Sequence, residues 1–201
     1  MTDVGGDPST PTPVPLLNIA NILTVSRLVL VPVFLAALFA EDGHQTSWRL
    51  AAFGVFAVAS FTDHVDGNLA RKHGLITDFG KIADPIADKA LTGAALVGLS
   101  LLGELPWWVT VLIAVREIGV TLLRFWVIRH GVIPASRGGK AKTLVQILAI
   151  GLYVLPLPSF LTPVATVLMG AAVVLTVVTG VDYVIRAVRL RARGRRAVAG
   201  A

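Results

Sequence analysis

The sequence has no cysteine among its 201 residues, and only 15% of its residues are charged. The absence of cysteine excludes disulfide bonds, thiolate metal sites and a cysteine nucleophile. The shortage of charge accompanies a hydrophobic fraction of 55% and a mean hydropathy of +0.76, outside the usual range of soluble domains. Several apolar runs approach the length of a bilayer crossing. We therefore expect an all-α integral membrane protein.

The first 15 residues lack both basic side chains and an apolar period. They are rich in Pro, Gly, Ser and Thr, which predicts a disordered N-terminal tail. A secretory signal would place basic residues before its apolar stretch, and this segment has none. We expect one membrane domain at 16–187 and a basic cytoplasmic tail at 188–201.

The apolar runs predict six transmembrane helices, and the fifth, which ends in LPLP, is short enough to merge with the sixth. The predicted spans are 22–40, 48–66, 83–103, 106–129, 143–158 and 161–187. Lys and Arg concentrate on one side, whereas the opposite connections at 41–47, 103–106 and 157–162 contain neither, and only Arg49 lies nearby. Positive charge is retained on the cytoplasmic side, so we expect both termini and the active site to face the cytoplasm.

The net charge of +6 raises the question of nucleic acid as a partner. Because the basic residues lie at helix ends, an anionic membrane surface explains them better, and we expect membrane lipids and no nucleic acid as partners. The predicted location is the cytoplasmic membrane, which the chain would cross several times.

Four aspartates interrupt the apolar pattern in the segment FTDHVDGNLARKHGLITDFGKIADPIADKA. Asp63 and Asp66 are three residues apart, and Asp84 and Asp88 are four apart, so each pair occupies one face of its helix. Charged groups within a membrane mark a functional site, and four packed carboxylates need cations. An oxygen-only donor set points to two Mg²⁺ ions, or to Mn²⁺.

The spacing of these residues resembles the signature of the CDP-alcohol phosphotransferases. The matching pattern is Asp63-x2-Asp66-Gly67-x2-Ala70-Arg71-x8-Gly80-x3-Asp84-x3-Asp88. The resemblance extends from about Asn18 to Arg186. It implies a six-helix membrane fold with a polar, cytoplasm-facing active-site cavity, and displacement of CMP from a CDP-linked lipid by an alcohol.

Shorter motifs resemble the branch of this family whose acceptor alcohol is glycerol 3-phosphate. They are Asn21-Ile22-Leu23-Thr24 with Arg27, Gly80-Lys81, Ala87-Asp88-Lys89, Arg116-Glu117 and Gly139-Lys140-Ala141-Lys142-Thr143. The resemblance implies that Asp63, Asp66, Asp84 and Asp88 bind two metal ions and that Asp88 is also the general base. It further implies CDP-diacylglycerol contacts at Asn21, Thr24, Gly67, Arg71 and Thr77, and a homodimer.

The acceptor requires an anion site of its own, because glycerol 3-phosphate is a dianion entering a cavity that already holds a diphosphate. Arg116, Lys140 and Lys142 are the predicted acceptor phosphate ligands. Two simpler interpretations stay open. Arg116 and Glu117 could each pair with a neighbouring helix, and Lys140 and Lys142 could anchor the chain at the cytoplasmic surface.

Other functions also stay open at this stage. A cardiolipin synthase or an inositol-phosphate enzyme of the same fold would share the metal site and differ in its acceptor pocket. A cation-coupled transporter would also explain intramembrane carboxylates, although transporters of that kind usually contain internal repeats, and none is evident in this sequence.

Overall fold

The computed structural model describes the backbone of residues 19–73, 78–127 and 137–199, with side chains at 21–62, 86–87, 89–123 and 138–192. The predicted N-terminal tail lies outside these ranges. Within them the chain forms six long α-helices and no β-strand, which confirms the all-α prediction. The helices are α1 (Ile19–Phe39), α2 (Thr46–His73), α3 (Asp78–Leu101), α4 (Trp107–Val127), α5 (Arg137–Val154) and α6 (Thr162–Ala199).

Each predicted transmembrane span has one counterpart among the helices, and several helices extend beyond the predicted span. α2 continues to His73, α3 begins at Asp78, and α6 runs past the predicted domain limit at 187 to Ala199. Hydropathy locates the apolar part of a helix, whereas the hydrogen-bonded backbone continues into polar turns. α5 ends at Val154, before Pro156 and Pro158, because proline cannot supply the next helical N–H. α5 and α6 are therefore separate helices.

The helices pack in two groups that share a core. α1 lies against α2 and α3, while α6 lies against α4 and α5, and α2 also contacts α5. Phe34 of α1 and Phe56 of α2 are fully enclosed, with ring centroids 5.8 Å apart. A Cβ added at Gly98 would lie 2.7 Å from Cδ2 of Leu38, so the close approach of α3 to α1 requires glycine there.

The exterior of the bundle is apolar along its length. On α1, Val25, Val29 and Val33 are 45%, 58% and 45% exposed and form one stripe at four-residue intervals. Two helical segments, Asn21–Gly43 and Ser159–Ala192, are long and apolar enough to cross a membrane. Soluble proteins rarely expose such large apolar surfaces, so these features indicate a membrane protein. The six-span count and the orientation stay predictions.

Arg49 of α2 contacts the end of α5 and the loop between α3 and α4. This end of the bundle is the one that we predict to be non-cytoplasmic. Its side chain is only 6% exposed, and its Nη1 and Nη2 each donate to one carboxylate oxygen of Glu104 at 2.7 Å. Its Nε and Nη2 also donate to the carbonyl oxygens of Val154 and Tyr153, at 2.9 and 2.6 Å. The guanidinium therefore caps the C-terminal end of α5 while it holds the loop between α3 and α4.

We expect Arg49→Met to destabilise the folded protein by about 3 kcal/mol, because it leaves Glu104 and two helix-terminal carbonyls without their donor. The measurement is thermal unfolding of purified protein in detergent. Arg186→Met is a matched control, since Arg186 forms an exposed ion pair with Asp182 at 2.8 Å, and exposed pairs contribute little. Equal melting temperatures for the two variants would contradict the assigned role of Arg49.

Candidate active site

The residues of the aspartate signature lie on two consecutive helices that contact each other. α2 contains Asp63, Asp66, Gly67 and Arg71, and α3 contains Asp84 and Asp88. The side chains of these six residues, and all of Thr77, lie outside the described set. Four carboxylates on two adjoining helices are an oxygen-only donor set, which fits Mg²⁺ or Mn²⁺. The fold thus brings the two acidic helices together, while the convergence of their side chains stays a prediction.

The N-terminal half of α1 turns its polar residues into the bundle. Asn21 and Thr24, both predicted nucleotide contacts, are 5% and 1% exposed, and Arg27 is 2% exposed. Ile22 and Val25 between them lie on the exposed side. α1 packs against α2 and α3, the two helices that carry the signature aspartates.

A group of charged side chains converges on the carboxylate of Glu117, in the middle of α4. Oε2 accepts a hydrogen bond from Nζ of Lys89 at 2.9 Å. Oε1 accepts from Nη1 of Arg116 at 2.9 Å and from Nζ of Lys142. We call these four residues the Glu117 cluster. It connects α3, α4 and α5 through one carboxylate.

Arg116 extends the cluster to α6. Its Nη2 donates to Oγ1 of Thr179 at 2.8 Å. Gly180 makes room for this contact, because a Cβ there would lie 3.2 Å from Cγ of Arg116. A larger residue at 180 would press on the half-buried Arg116 side chain, so the glycine permits the close approach of α6 to α4.

The Glu117 cluster contains more positive than negative charge. Among the described side chains, three cations surround one carboxylate, which leaves these four residues with a formal excess of two positive charges. The side chain of Lys142 is 3% exposed, and those of Lys89 and Glu117 are 30% and 21% exposed. Nε of Arg116 is buried, with no hydrogen-bond partner among the described residues. Charge held away from water needs compensation, so the cluster is suited to an anion that arrives from its more open side.

The structure brings together two of the three predicted acceptor ligands. Arg116 and Lys142 meet at Glu117, but Lys140 is exposed and makes no contact with the cluster. Two residues apart on a helix, Lys140 and Lys142 point in widely different directions. Sequence reasoning did not assign Lys89 and Glu117 to the site. The position of Glu117 in the middle of an apolar helix could have indicated them, because an acidic residue there needs cationic partners.

Comparison with known proteins agrees with the signature. Residues 17–178 match the family model described as CDP-alcohol phosphatidyltransferase. This match covers most of the chain, which therefore belongs to the CDP-alcohol phosphatidyltransferase family. Membership confirms the family prediction and favours a transferase over a transporter. Metal dependence is general in this family.

Similar proteins share most of their length with this chain. It is 62% identical over 174 residues to a "Probable phosphatidylglycerophosphate synthase" of Mycobacterium tuberculosis, covering 87% of this chain and 83% of that protein. It is 38% identical to a "CDP-diacylglycerol--glycerol-3-phosphate 3-phosphatidyltransferase" of Bacillus subtilis, covering 84% and 94% of the two chains. A protein of the same name from Rickettsia felis is 34% identical, covering 83% and 93%.

Proposed function

We propose that this protein is a phosphatidylglycerophosphate synthase, which transfers the phosphatidyl group of CDP-diacylglycerol to sn-glycerol 3-phosphate and releases CMP. The observation that carries the proposal is the Glu117 cluster, a largely enclosed group with two excess positive charges. One of its members, Lys89, directly follows Asp88 of the family signature. The names of the similar proteins support the same acceptor.

The transfer needs an alcohol oxygen that attacks phosphorus and a nucleotide that departs. Asp63, Asp66, Asp84 and Asp88 are the proposed ligands of two Mg²⁺ ions, which when bound neutralise the diphosphate of CDP-diacylglycerol. Asp88 takes the proton from the primary hydroxyl of glycerol 3-phosphate. The resulting oxygen forms a bond to the β-phosphorus as the bond between that phosphorus and the oxygen of CMP breaks. The products are phosphatidylglycerophosphate and CMP.

Binding of the two substrates is assigned to different elements. Asn21 and Thr24 of α1, Gly67 and Arg71 of α2, and Thr77 are the proposed CDP-diacylglycerol contacts. Arg116 and Lys142 bind the acceptor phosphate, with Lys140 at the entrance to the pocket. A dianionic phosphate matches the excess charge of the cluster, whereas phosphatidylglycerol, the acceptor of a cardiolipin synthase, carries a single charge and two acyl chains.

The proposal includes a location and an assembly. The protein crosses the cytoplasmic membrane six times, with both termini and the catalytic cavity in the cytoplasm, where water-soluble glycerol 3-phosphate is available. The distribution of Lys and Arg supports this orientation. The homodimer implied by the family resemblance belongs to the same proposal.

The reaction itself is testable with purified protein in detergent. We expect CMP release from CDP-diacylglycerol to depend on added glycerol 3-phosphate and on Mg²⁺ or Mn²⁺. Radiolabelled acceptor should appear in the lipid fraction in equal amount to the CMP released. CMP release that depends instead on phosphatidylglycerol or on inositol phosphate would overturn the proposed acceptor.

Asp88→Asn should nearly abolish turnover, because the amide keeps the shape of the side chain but cannot accept the proton. Loss of a general base typically lowers the rate by about 10²–10⁴-fold. Binding of CDP-diacylglycerol, measured by equilibrium dialysis, should persist. Wild-type turnover in the folded variant would show that Asp88 is not the base.

Replacement of the basic residues should weaken the binding of glycerol 3-phosphate and leave that of CDP-diacylglycerol unchanged. We expect Arg116→Gln and Lys142→Gln to raise the KM for glycerol 3-phosphate roughly ten- to hundredfold, because each removes a charged hydrogen-bond donor worth about 1.5–3 kcal/mol. The KM for CDP-diacylglycerol should change little. Lys140→Gln should have a smaller effect, since Lys140 is exposed. If none of the three changed the acceptor KM on protein normalised for folded amount, surface anchoring would explain these residues instead.

A further inference from the structure

The two carboxylate oxygens of Glu117 contact residues of different helices. Oε1 faces Arg116 and Lys142, the proposed acceptor ligands. Oε2 faces Lys89 of α3, whose Nζ also lies 3.5 Å from the backbone carbonyl oxygen of Glu117. One side chain therefore contacts the acceptor pocket with one atom and α3 with the other.

The α3 contact falls on the turn that carries the proposed base. Lys89 directly follows Asp88 in the chain, and Ala87 on the other side of Asp88 is completely buried. The backbone on both sides of Asp88 is thus held, by packing at Ala87 and by the ion pair at Lys89. Loss of the ion pair would remove one of these two contacts.

We propose that Glu117 is a positioning residue that couples occupancy of the acceptor pocket to the placement of Asp88, acting through Lys89. The inference rests on the proposed function, because it takes Asp88 as the base and Arg116 with Lys142 as the acceptor ligands. When the acceptor phosphate binds Arg116 and Lys142, these two cations gain a second anionic partner. Oε2 retains Lys89, so the acceptor and the base that takes its proton are held by elements that share one carboxylate.

The arrangement differs from that of an ion pair that only stabilises the fold. Arg49 and Glu104 form a one-to-one fork completed by carbonyl oxygens. Glu117 instead receives three cations from three helices, and this unequal ratio leaves the cations able to bind an additional anion.

The test uses Glu117→Gln, Lys89→Met and the double variant, each as full-length protein in detergent. A displaced general base slows the chemical step, and misplacement by about 1 Å can lower its rate roughly 10²-fold. We expect each single variant to lower kcat roughly ten- to hundredfold with the KM for CDP-diacylglycerol near the wild-type value. The double variant should lose little more than either single variant, because both break the same contact.

Two further variants separate positioning from general stability. Glu104→Gln disturbs the ion pair between Glu104 and Arg49, away from the Glu117 cluster, and it should lower the melting temperature without changing the kcat of the folded fraction. Glu117→Asp keeps the charge on a shorter side chain, and it should restore part of the kcat lost in Glu117→Gln. Calorimetric titration with glycerol 3-phosphate adds a readout that does not depend on turnover. Lys89→Met should bind the acceptor about as tightly as wild type, since the proposed phosphate ligands stay in place.

The outcomes distinguish this inference from the proposed function. If wild-type protein releases no CMP with glycerol 3-phosphate, the proposed function fails. If wild type is active but Glu117→Gln and Lys89→Met keep its kcat, the positioning role is overturned while the function stands. Additive losses of kcat in the double variant, or an equal loss in Glu104→Gln, would also overturn it.

Discussion

A carboxylate in the middle of an apolar helix requires cationic partners, and the arrangement of α3 to α6 depends on meeting that requirement at Glu117. Lys89, Arg116 and Lys142 all donate to it, and Arg116 passes the connection on to Thr179. Ion pairs withdrawn from water are costly to leave incomplete, so these contacts restrict how the four helices can be placed. The same restriction concentrates positive charge beside the helix that carries the proposed base.

The described part of the bundle combines an apolar exterior with several polar side chains buried among its core residues. Its exterior is rich in exposed valine and leucine, whereas Asn21, Thr24, Arg27, Lys142 and Gln146 are buried. In a soluble protein this distribution would be unfavourable, but in a bilayer the apolar surface is solvated by lipid and polar groups collect in the interior. The proposed function needs such buried polar groups, because both a water-soluble acceptor and a lipid-linked nucleotide have to be bound.

Charge has different roles in two parts of the bundle. At one end, Arg49 and Glu104 pair one to one, and the remaining donors of the arginine reach helix-terminal carbonyls. At the Glu117 cluster, the cations outnumber the carboxylate. A balanced pair is complete without a ligand, whereas an unbalanced group gains stability when an anion arrives. Charge balance therefore separates a structural contact from a candidate binding site.

The sequence by itself determined the all-helical class, the approximate position of every helix and the family, because hydropathy and the spacing of Asp63 to Asp88 are local properties of the chain. It also indicated Arg116, Lys140 and Lys142 as acceptor ligands. The tertiary structure alone decided that Arg116 and Lys142 meet Glu117, that Lys89 joins them and that Lys140 does not. Lys89 lies 28 positions from Glu117 in the chain, and Lys142 lies 25 positions from it. Arg116 and Thr179 are 63 positions apart. Contacts over such separations depend on how whole helices pack, and no local pattern contains that information.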